Sequence, residues 1–88
     1  MSLAVESGIK AAFDVTPSDT NTLAVDLGAD YAITKGLFVG VAGDVEVMMA
    51  NGSGGVAQVF GLEAGFHPLN VTQVLDSNTT ATGIKALY

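Results

Sequence analysis

The chain has 88 residues, of which 49% are hydrophobic and only 14% are charged, and its formal net charge at pH 7 is −6. A chain of this length forms one domain and buries only roughly 60 to 65% of its unfolded surface when it folds alone. Since charged residues usually make up about 25% of a domain, this composition predicts surplus apolar surface that another protein covers, as in a subunit of a larger assembly.

The charged residues and the lack of cysteine exclude several kinds of partner and site. Nine acidic residues stand against three basic ones, so no basic patch is available and we expect no nucleic-acid partner. The apolar runs are short and are broken by Gly, Asp and Asn, so we expect neither a membrane-spanning helix nor a membrane partner. With no cysteine, the chain has no disulfide and no thiolate for catalysis or metal binding.

The order of apolar residues predicts strands rather than helices. Residues that are β-branched or aromatic cluster in short runs separated by Gly, Asn, Asp and Ser, and no window has a sustained 3.6-residue period. In chain order, we predict strands at residues 11–15, 22–25, 31–33, 37–41, 45–49, 56–60, 66–75 and 83–88. Residues 1–12 are predicted to form an N-terminal arm, and residues 13–88 a single β-domain.

The second half of the chain carries the clearest strand signals. In residues 45–49, Val45 and Val47 share one face of the strand and Glu46 and Met48 share the other. The glycine-rich residues 51–55 predict the loop of a hairpin to the next strand. The alternation slips between Val71 and Val74, which predicts a β-bulge.

Together these signals predict an all-β fold, a small β-sandwich or barrel, jelly-roll-like, of about six to eight short antiparallel strands.

The residues that could support chemistry are few. His67 is the only histidine, and its neighbours in sequence offer no partner for general base catalysis. Four carboxylates, those of Asp14, Asp19, Asp26 and Asp30, could gather around a calcium ion, but their spacing matches no EF-hand loop. Local hydrogen bonds to backbone explain aspartates at turns equally well. We therefore predict no catalytic residue, cofactor or metal, and no enzyme activity.

Four stretches of the chain carry a resemblance to a known family. They are residues 15–20 (Val-Thr-Pro-Ser-Asp-Thr), residues 36–45 (Gly-Leu-Phe-Val-Gly-Val-Ala-Gly-Asp-Val), Gly65 with Pro68, Leu69 and Val71, and residues 78–88 (Asn-Thr-Thr-Ala-Thr-Gly-Ile-Lys-Ala-Leu-Tyr). In this order they resemble the head-spike base proteins of gene transfer agents and related tailed bacteriophages. The resemblance covers about residues 13–88.

The resemblance implies a structural virion protein that is made in the host cytoplasm and sits on the outer surface of the capsid at its vertices. It implies two kinds of partner there, the major capsid protein and a spike or fibre protein. A fivefold vertex suits a homo-oligomer in the form of a pentameric ring, whose closure would bury the surplus apolar surface.

Such a protein functions by binding its partners over large surfaces, and a stable contact buries on the order of 800 Å² per partner. The residues predicted to form interfaces are Leu37, Phe38, Met48 and Phe60, with Leu87 and Tyr88 securing the last strand. The arm, residues 1–12, is predicted to reach a neighbouring subunit.

Other functions remain open at the level of sequence. A capsid decoration or cement protein, or a small tail or baseplate component, would share the low charge and the small β-domain. A glycan-binding β-module is a further alternative, although the chain has no Trp and only two tyrosines, Tyr31 and Tyr88, for stacking on a sugar.

Overall fold

Two antiparallel sheets enclose the apolar core of this protein. The structure, a computed structural model, describes residues 9–50 and 56–88. Its strands are β1 (Ala12–Asp14), β2 (Gly36–Val39), β3 (Gly43–Met49), β4 (Gln58–Leu62), β5 (Gly65–His67), β6 (Val71–Leu75) and β7 (Lys85–Leu87). One sheet has the strand order β1-β7-β2-β5 and the other the order β4-β3-β6. The predicted all-β fold, a small sandwich of short antiparallel strands, is confirmed.

The core is built mainly from β-branched and aliphatic side chains on the inner faces of the two sheets. Strands β2, β3 and β6 contribute the fully buried residues Leu37, Val39, Val45, Val47 and Val71. Branched side chains pack well on a pleated surface, and burying one of them contributes about 1.5–3 kcal/mol relative to leaving it exposed. The strands on either side of β2 and β3 therefore dock on a common apolar layer.

The chain changes sheets between β2 and β3. Residues 40–42 follow β2 in the four-stranded sheet and lead into β3 of the other sheet. The segment at residues 79–83 holds this corner: the N–H of Val41 donates to the carbonyl of Thr82 at 2.9 Å, and the N–H of Asp44 donates to the hydroxyl of Thr80 at 2.9 Å. This corner joins the two sheets through hydrogen bonds as well as through the core.

The hairpin of β3 and β4 forms as predicted, with Val45 opposite Phe60. Its loop, residues 51–55, lies outside the described residues. The predicted bulge is confirmed as well, because Met48 pairs with Gln73 and Met49 with Val71, which leaves Thr72 as the extra residue of β6.

The long strand predicted at residues 66–75 is wrong. The chain forms β5 and then β6, and these strands belong to different sheets. Pro68 follows β5 directly, and its ring removes the N–H that a continuous ladder would need. The N–H of Leu69 instead donates to the carbonyl of His67 at 2.9 Å, which closes a tight turn.

The strand predicted at residues 22–25 is also wrong, since this segment starts a short helix, α1 (Leu23–Leu27). Thr22 caps the helix with its hydroxyl, and Gly28 ends it with a φ of 112°, which favours glycine. The two leucines of α1 are four residues apart and both pack on the core. A 3₁₀ turn (Ala29–Tyr31) follows, and the strand predicted at residues 31–33 is wrong, since strand β2 begins only at Gly36.

The β-domain includes two residues that were predicted to belong to the arm. Ala12 lies in β1, and Ala11 exchanges two hydrogen bonds with Tyr88, at 3.0 and 2.8 Å. Residues 1–8 of the predicted arm lie outside the described residues.

Candidate assembly interfaces

The last strand of the chain is held on both sides. β7 lies between β1 and β2, and the Tyr88 hydroxyl donates a hydrogen bond of 2.8 Å to the carbonyl of Tyr31. The rings of Phe13 and Tyr88 both lie near that of Tyr31, each with ring centres 4.9 Å apart. Burial, together with the nearby Tyr31 phenol, raises the pKa of the Tyr88 phenol above its ordinary value. Tyr88 is thus part of a packed aromatic cluster.

The predicted interface residues Leu37 and Phe38 lie on opposite faces of β2. Leu37 is 0% exposed and lies in the core, so its prediction as a contact to another subunit needs correction. Phe38, one residue on, is 40% exposed because successive side chains of a strand point to opposite faces. It therefore lies on the outer face of the four-stranded sheet.

A second phenylalanine, Phe66, stands opposite Phe38 on this outer face and is 45% exposed. Its ring leans over Gly36, where an added Cβ would come within 2.5 Å of Phe66 Cε1. Leu87 is paired with Gly36 on the same face and is 9% exposed. We call these four residues the aromatic face. Phe66 was not predicted as an interface residue, because its pairing with Phe38 joins residues that are distant in sequence.

Two charged residues, Lys85 and Asp14, border the aromatic face on the side of β1. Lys85 is paired with Phe38, and Asp14 is paired with Lys85 in the next strand. The Lys85 ammonium donates to the Asp14 carboxylate in an ion pair. Both side chains are largely exposed, so the pair contributes only about 0–1 kcal/mol to stability. It marks the polar border of an otherwise apolar surface.

The outer face of the three-stranded sheet carries a different set of residues. Met48 is half-buried on this face, whereas Phe60 is half-buried on the inner face and packs on the core. Val59 stands opposite Glu46 and is 49% exposed. Oxygen Oε1 of Glu46 is buried and accepts no hydrogen bond from the described residues. This face thus combines exposed apolar area with a carboxylate that lacks a full set of donors.

The two edge strands of the three-stranded sheet, β6 and β4, differ in whether other parts of the backbone bond to them. Along β6, the N–H of Ser18 donates to the carbonyl of Val74 at 2.9 Å, and the N–H of Thr34 donates to that of Val71 at 3.1 Å. Along β4, the backbone hydrogen bonds found among the described residues all go to β3. One edge is therefore covered by the chain itself, and the β4 edge is open.

The polar residues considered for chemistry have structural partners. His67 Nε2 lies 2.7 Å from the carbonyl oxygen of Glu63, within the β4–β5 connection. The Asp19 carboxylate accepts hydrogen bonds from the N–H groups of Asp76 and Ser77, at 2.9 and 3.0 Å, and from the Ser77 hydroxyl at 2.6 Å. These bonds hold the pKa of Asp19 below its ordinary value, the Ser77 hydroxyl having the largest effect.

The four aspartates do not gather into one site. Asp14 pairs with Lys85, Asp26 accepts from the Asn21 amide at 3.3 Å, and Asp19 is bound to the 76–77 turn. In residues 9–50 and 56–88, no three His, Asp or Glu side chains come together in a way that could hold a metal ion.

An open cleft of about 480 Å³ lies between β1 and α1. Its lining includes the carboxylates of Asp14 and Asp26 and the apolar side chains of Val15, Leu23 and Leu27. Tyr31, a candidate for stacking on sugars, is packed between Phe13 and Tyr88, so its ring is not a free platform. No helix in the described ranges is long and apolar enough to cross a membrane.

Comparison with solved structures gave a match. The chain is similar to a chain in a solved structure described as the capsid of the native GTA particle, computed with C5 symmetry, with a TM-score of 0.75 and 24% sequence identity. The two chains share one fold. The likeness covers 99% of this chain and 92% of the other. Neither protein-family profiles nor curated protein sequences gave a match.

Proposed function

We propose that this protein is a structural component of a phage-like virion, the base of a head spike on the outer surface of the capsid at its vertices. The observation that carries the proposal is the shared fold with a chain of the GTA capsid particle, which extends over 99% of this chain and 92% of that one. A likeness that covers both chains almost fully relates whole domains, not one motif. The four sequence stretches that resemble spike bases support the same assignment.

The surface of the subunit is suited to assembly. Phe38 and Phe66 expose two aromatic rings side by side on a sheet face, and aromatic residues supply much of the energy at protein interfaces. The open β4 edge is a second, separate surface. A spike base needs several contacts, namely with its own copies, with the major capsid protein and with the spike or fibre protein. The role is one of binding, without catalysis, nucleic acid or membrane.

A pentameric ring is the oligomer that we propose. The related GTA particle was computed with C5 symmetry, and a cyclic ring joins two different surfaces of each subunit in a heterologous contact. The aromatic face and the β4 edge lie on different sheets. They therefore offer two distinct surfaces of the kind that a ring requires.

In this proposal, the host cell makes the chain in its cytoplasm and the chain is then built into the particle. The test uses particles purified from such cells. We expect purified particles to contain it, an antibody to label it on intact heads, and deletion of its gene to leave closed heads without spikes. A chain that is absent from particles, or that is labelled only after the heads are opened, would contradict the proposal. Labelling over the whole head would indicate a decoration protein, and labelling of the tail a baseplate component.

A further inference from the structure

Strand β4 leaves one side of its backbone open and carries no charge that would keep another strand away. Its five residues (Gln-Val-Phe-Gly-Leu) include no charged residue and no proline, and Val59 is 49% exposed. Open edges are normally guarded by charge, by proline or by short length, because an unguarded edge pairs with other strands. At an edge of the other sheet, β5 has three residues and is followed directly by Pro68. The β4 edge is therefore suited to the addition of a strand.

The backbone groups that this edge offers follow from the ladder between β3 and β4. The N–H groups of Asp44 and Glu46 donate to threonine hydroxyls on the other side of β3, each at 2.9 Å. Their partners in β4 are Gly61 and Val59. Because the bonding direction alternates along an antiparallel strand, the N–H and C=O groups of Gly61 and Val59 point away from β3. Each of these two residues thus offers an added strand both a donor and an acceptor.

The outer face beside this edge carries negative charge and no positive charge. Strands β3, β4 and β6 contain two acidic residues, Asp44 and Glu46, and no lysine, arginine or histidine. Both acidic residues lie on the outer face of β3, because the valines between and after them are buried in the core. The ion pair found among the described residues joins Lys85 to Asp14 in the other sheet. A cation at this face would have to come from outside the subunit.

Gly61 gives the Asp44 carboxylate access to the edge. The two residues are partners in the ladder, and a Cβ added to Gly61 would lie 3.6 Å from Asp44 Oδ1. The carboxylate therefore lies beside the space above Gly61, which no side chain of that residue fills. Opposite Cα atoms in an antiparallel ladder are about 4.5 or 5.5 Å apart, so an added residue opposite Gly61 has its Cα about 10 Å from that of Asp44. A lysine or arginine side chain is long enough to cross this gap over the glycine.

The inner face of the same edge calls for apolar side chains. Phe60 and Leu62 flank Gly61 and pack on the core, but both remain only partly buried. On an added strand, the residues on either side of the cation would point to this inner face, because successive side chains of a strand alternate. Apolar residues at those two positions would cover Phe60 and Leu62. The edge therefore favours a strand in which a basic residue stands between two apolar ones.

A second copy of this chain is a poor source of that strand. Its basic residues are three lysines, and the backbone of each is bonded within its own subunit. The N–H groups of Lys10 and Lys35 donate to the carbonyls of the last two residues of the chain, and Lys85 lies in β7 between two other strands. The chain as a whole has a net charge of −6. Its electrostatic complement is a basic segment of a different protein.

We propose that the β4 edge binds, as an added antiparallel strand, an extended segment of another protein in which a lysine or arginine stands between two apolar residues. The basic side chain lies across Gly61 to the Asp44 carboxylate, and the apolar residues cover Phe60 and Leu62. Main-chain hydrogen bonds supply the affinity of an added strand, and alternate side chains supply its specificity. The inference goes beyond the proposed function and does not depend on it. It assigns the β4 edge to a different protein, so that copies in a ring meet through the outer faces of their sheets.

A synthetic peptide, Thr-Ile-Lys-Val-Thr-Val-Ser, tests the proposal by NMR titration of the isotope-labelled protein. We expect the amide signals of Val59 and Gly61 to shift, and we expect tighter binding than for the same peptide with Glu in place of Lys. Asp44→Asn should reduce this preference about two- to fivefold, as for the loss of one exposed ion pair. The matched control Asp30→Asn removes an exposed carboxylate from the 3₁₀ turn and should leave the preference unchanged. Equal affinity for the two peptides, or an unchanged preference in Asp44→Asn, would overturn the proposal.

A second variant, Val59→Pro, tests the main-chain part of the contact. Because the N–H of Val59 points away from β3, a proline there removes no bond of the ladder and is tolerated in an edge strand. We expect this variant to keep its circular dichroism spectrum and to lose peptide binding. Binding that persists in Val59→Pro, or signal shifts confined to residues outside β4, would overturn the proposal. Self-association of the natural protein that Val59→Pro abolishes would overturn it as well, since the edge would then bind a second copy. These outcomes leave the proposed location at the capsid vertex unaffected.

Discussion

Thr34 shows how single polar residues are accommodated in the core. Its side chain is almost fully buried, yet its hydroxyl donates to the carbonyl of Leu69 at 2.7 Å and accepts from the N–H of Val71 at 3.0 Å. The Asn70 amide donates to its carbonyl at 2.8 Å. This buried hydroxyl, which both donates and accepts, ties the segment before β2 to the start of β6.

We predict that Thr34→Val lowers the free energy of unfolding by about 1–3 kcal/mol, since it takes the hydroxyl partner from the partly buried carbonyl of Leu69 and from the buried N–H of Val71. Urea titration measures the loss. Thr34→Ser keeps the hydroxyl and should lose clearly less. Equal stability of Thr34→Val and the natural protein would show that these bonds do not contribute.

Asp19 makes stability depend on pH. Its carboxylate is bound to the 76–77 turn, and its pKa in the folded state lies below the ordinary value of 3.8. A group whose pKa is lowered by folding stabilises the protein above its unfolded pKa, and this contribution is lost as pH falls through the folded pKa. Its stabilising effect should therefore be complete above about pH 3.8 and decline below it.

The corresponding variant is Asp19→Asn. At neutral pH we expect it to melt at a lower temperature than the natural protein, and we expect the difference in Tm to shrink below about pH 3.8. Differential scanning calorimetry across the acid range measures this. A difference in Tm that stays constant from neutral pH to strong acid would contradict the assigned role of the charge.

Among the strands, β2 depends on a glycine that leaves space for an aromatic ring. Gly36 lies beneath the ring of Phe66, so an alanine there would meet Phe66 Cε1 at 2.5 Å. We predict that Gly36→Ala costs about 1–3 kcal/mol through overpacking. In a Phe66→Ala background the same change should cost much less, which a double-mutant cycle by urea titration measures. Additive effects of the two substitutions would contradict the proposed contact.

β7 is paired on both sides, with β1 and with β2. Removing Leu87 and Tyr88 takes away the partner of the first residue of β1 and that of the first residue of β2. We predict that this deletion unfolds or disassembles the protein, whereas Tyr88→Phe, which loses one hydrogen bond to Tyr31, costs only about 1 kcal/mol. A truncated chain with an unchanged Tm would refute this prediction.

Patterns in neighbouring residues predicted those features of the fold that depend on neighbouring residues. Alternation along β3 and the slip that places the bulge at Thr72 could be read directly. The five residues of α1 could not, since such a short apolar run does not separate a helix from a strand. Phe66 and the open β4 edge could not be predicted either, because strand register and edge position arise from contacts between distant residues.

The sandwich presents two unlike sides. One side carries β1 and the covered edge strand β6, and the other carries β5 and the open edge strand β4. Unlike sides suit head-to-tail contact between copies, which closes into a ring when the rotation permits. The low charge of the sequence is accounted for if most of this surface is buried in the particle.

Cryo-electron microscopy of native particles, with localised reconstruction of the vertices, tests whether the protein forms the base of a spike there. We expect a ring of β-sandwiches outside the capsid shell, into which this fold fits. Vertices without such a density, or the same fold found inside the shell or on the tail, would contradict it.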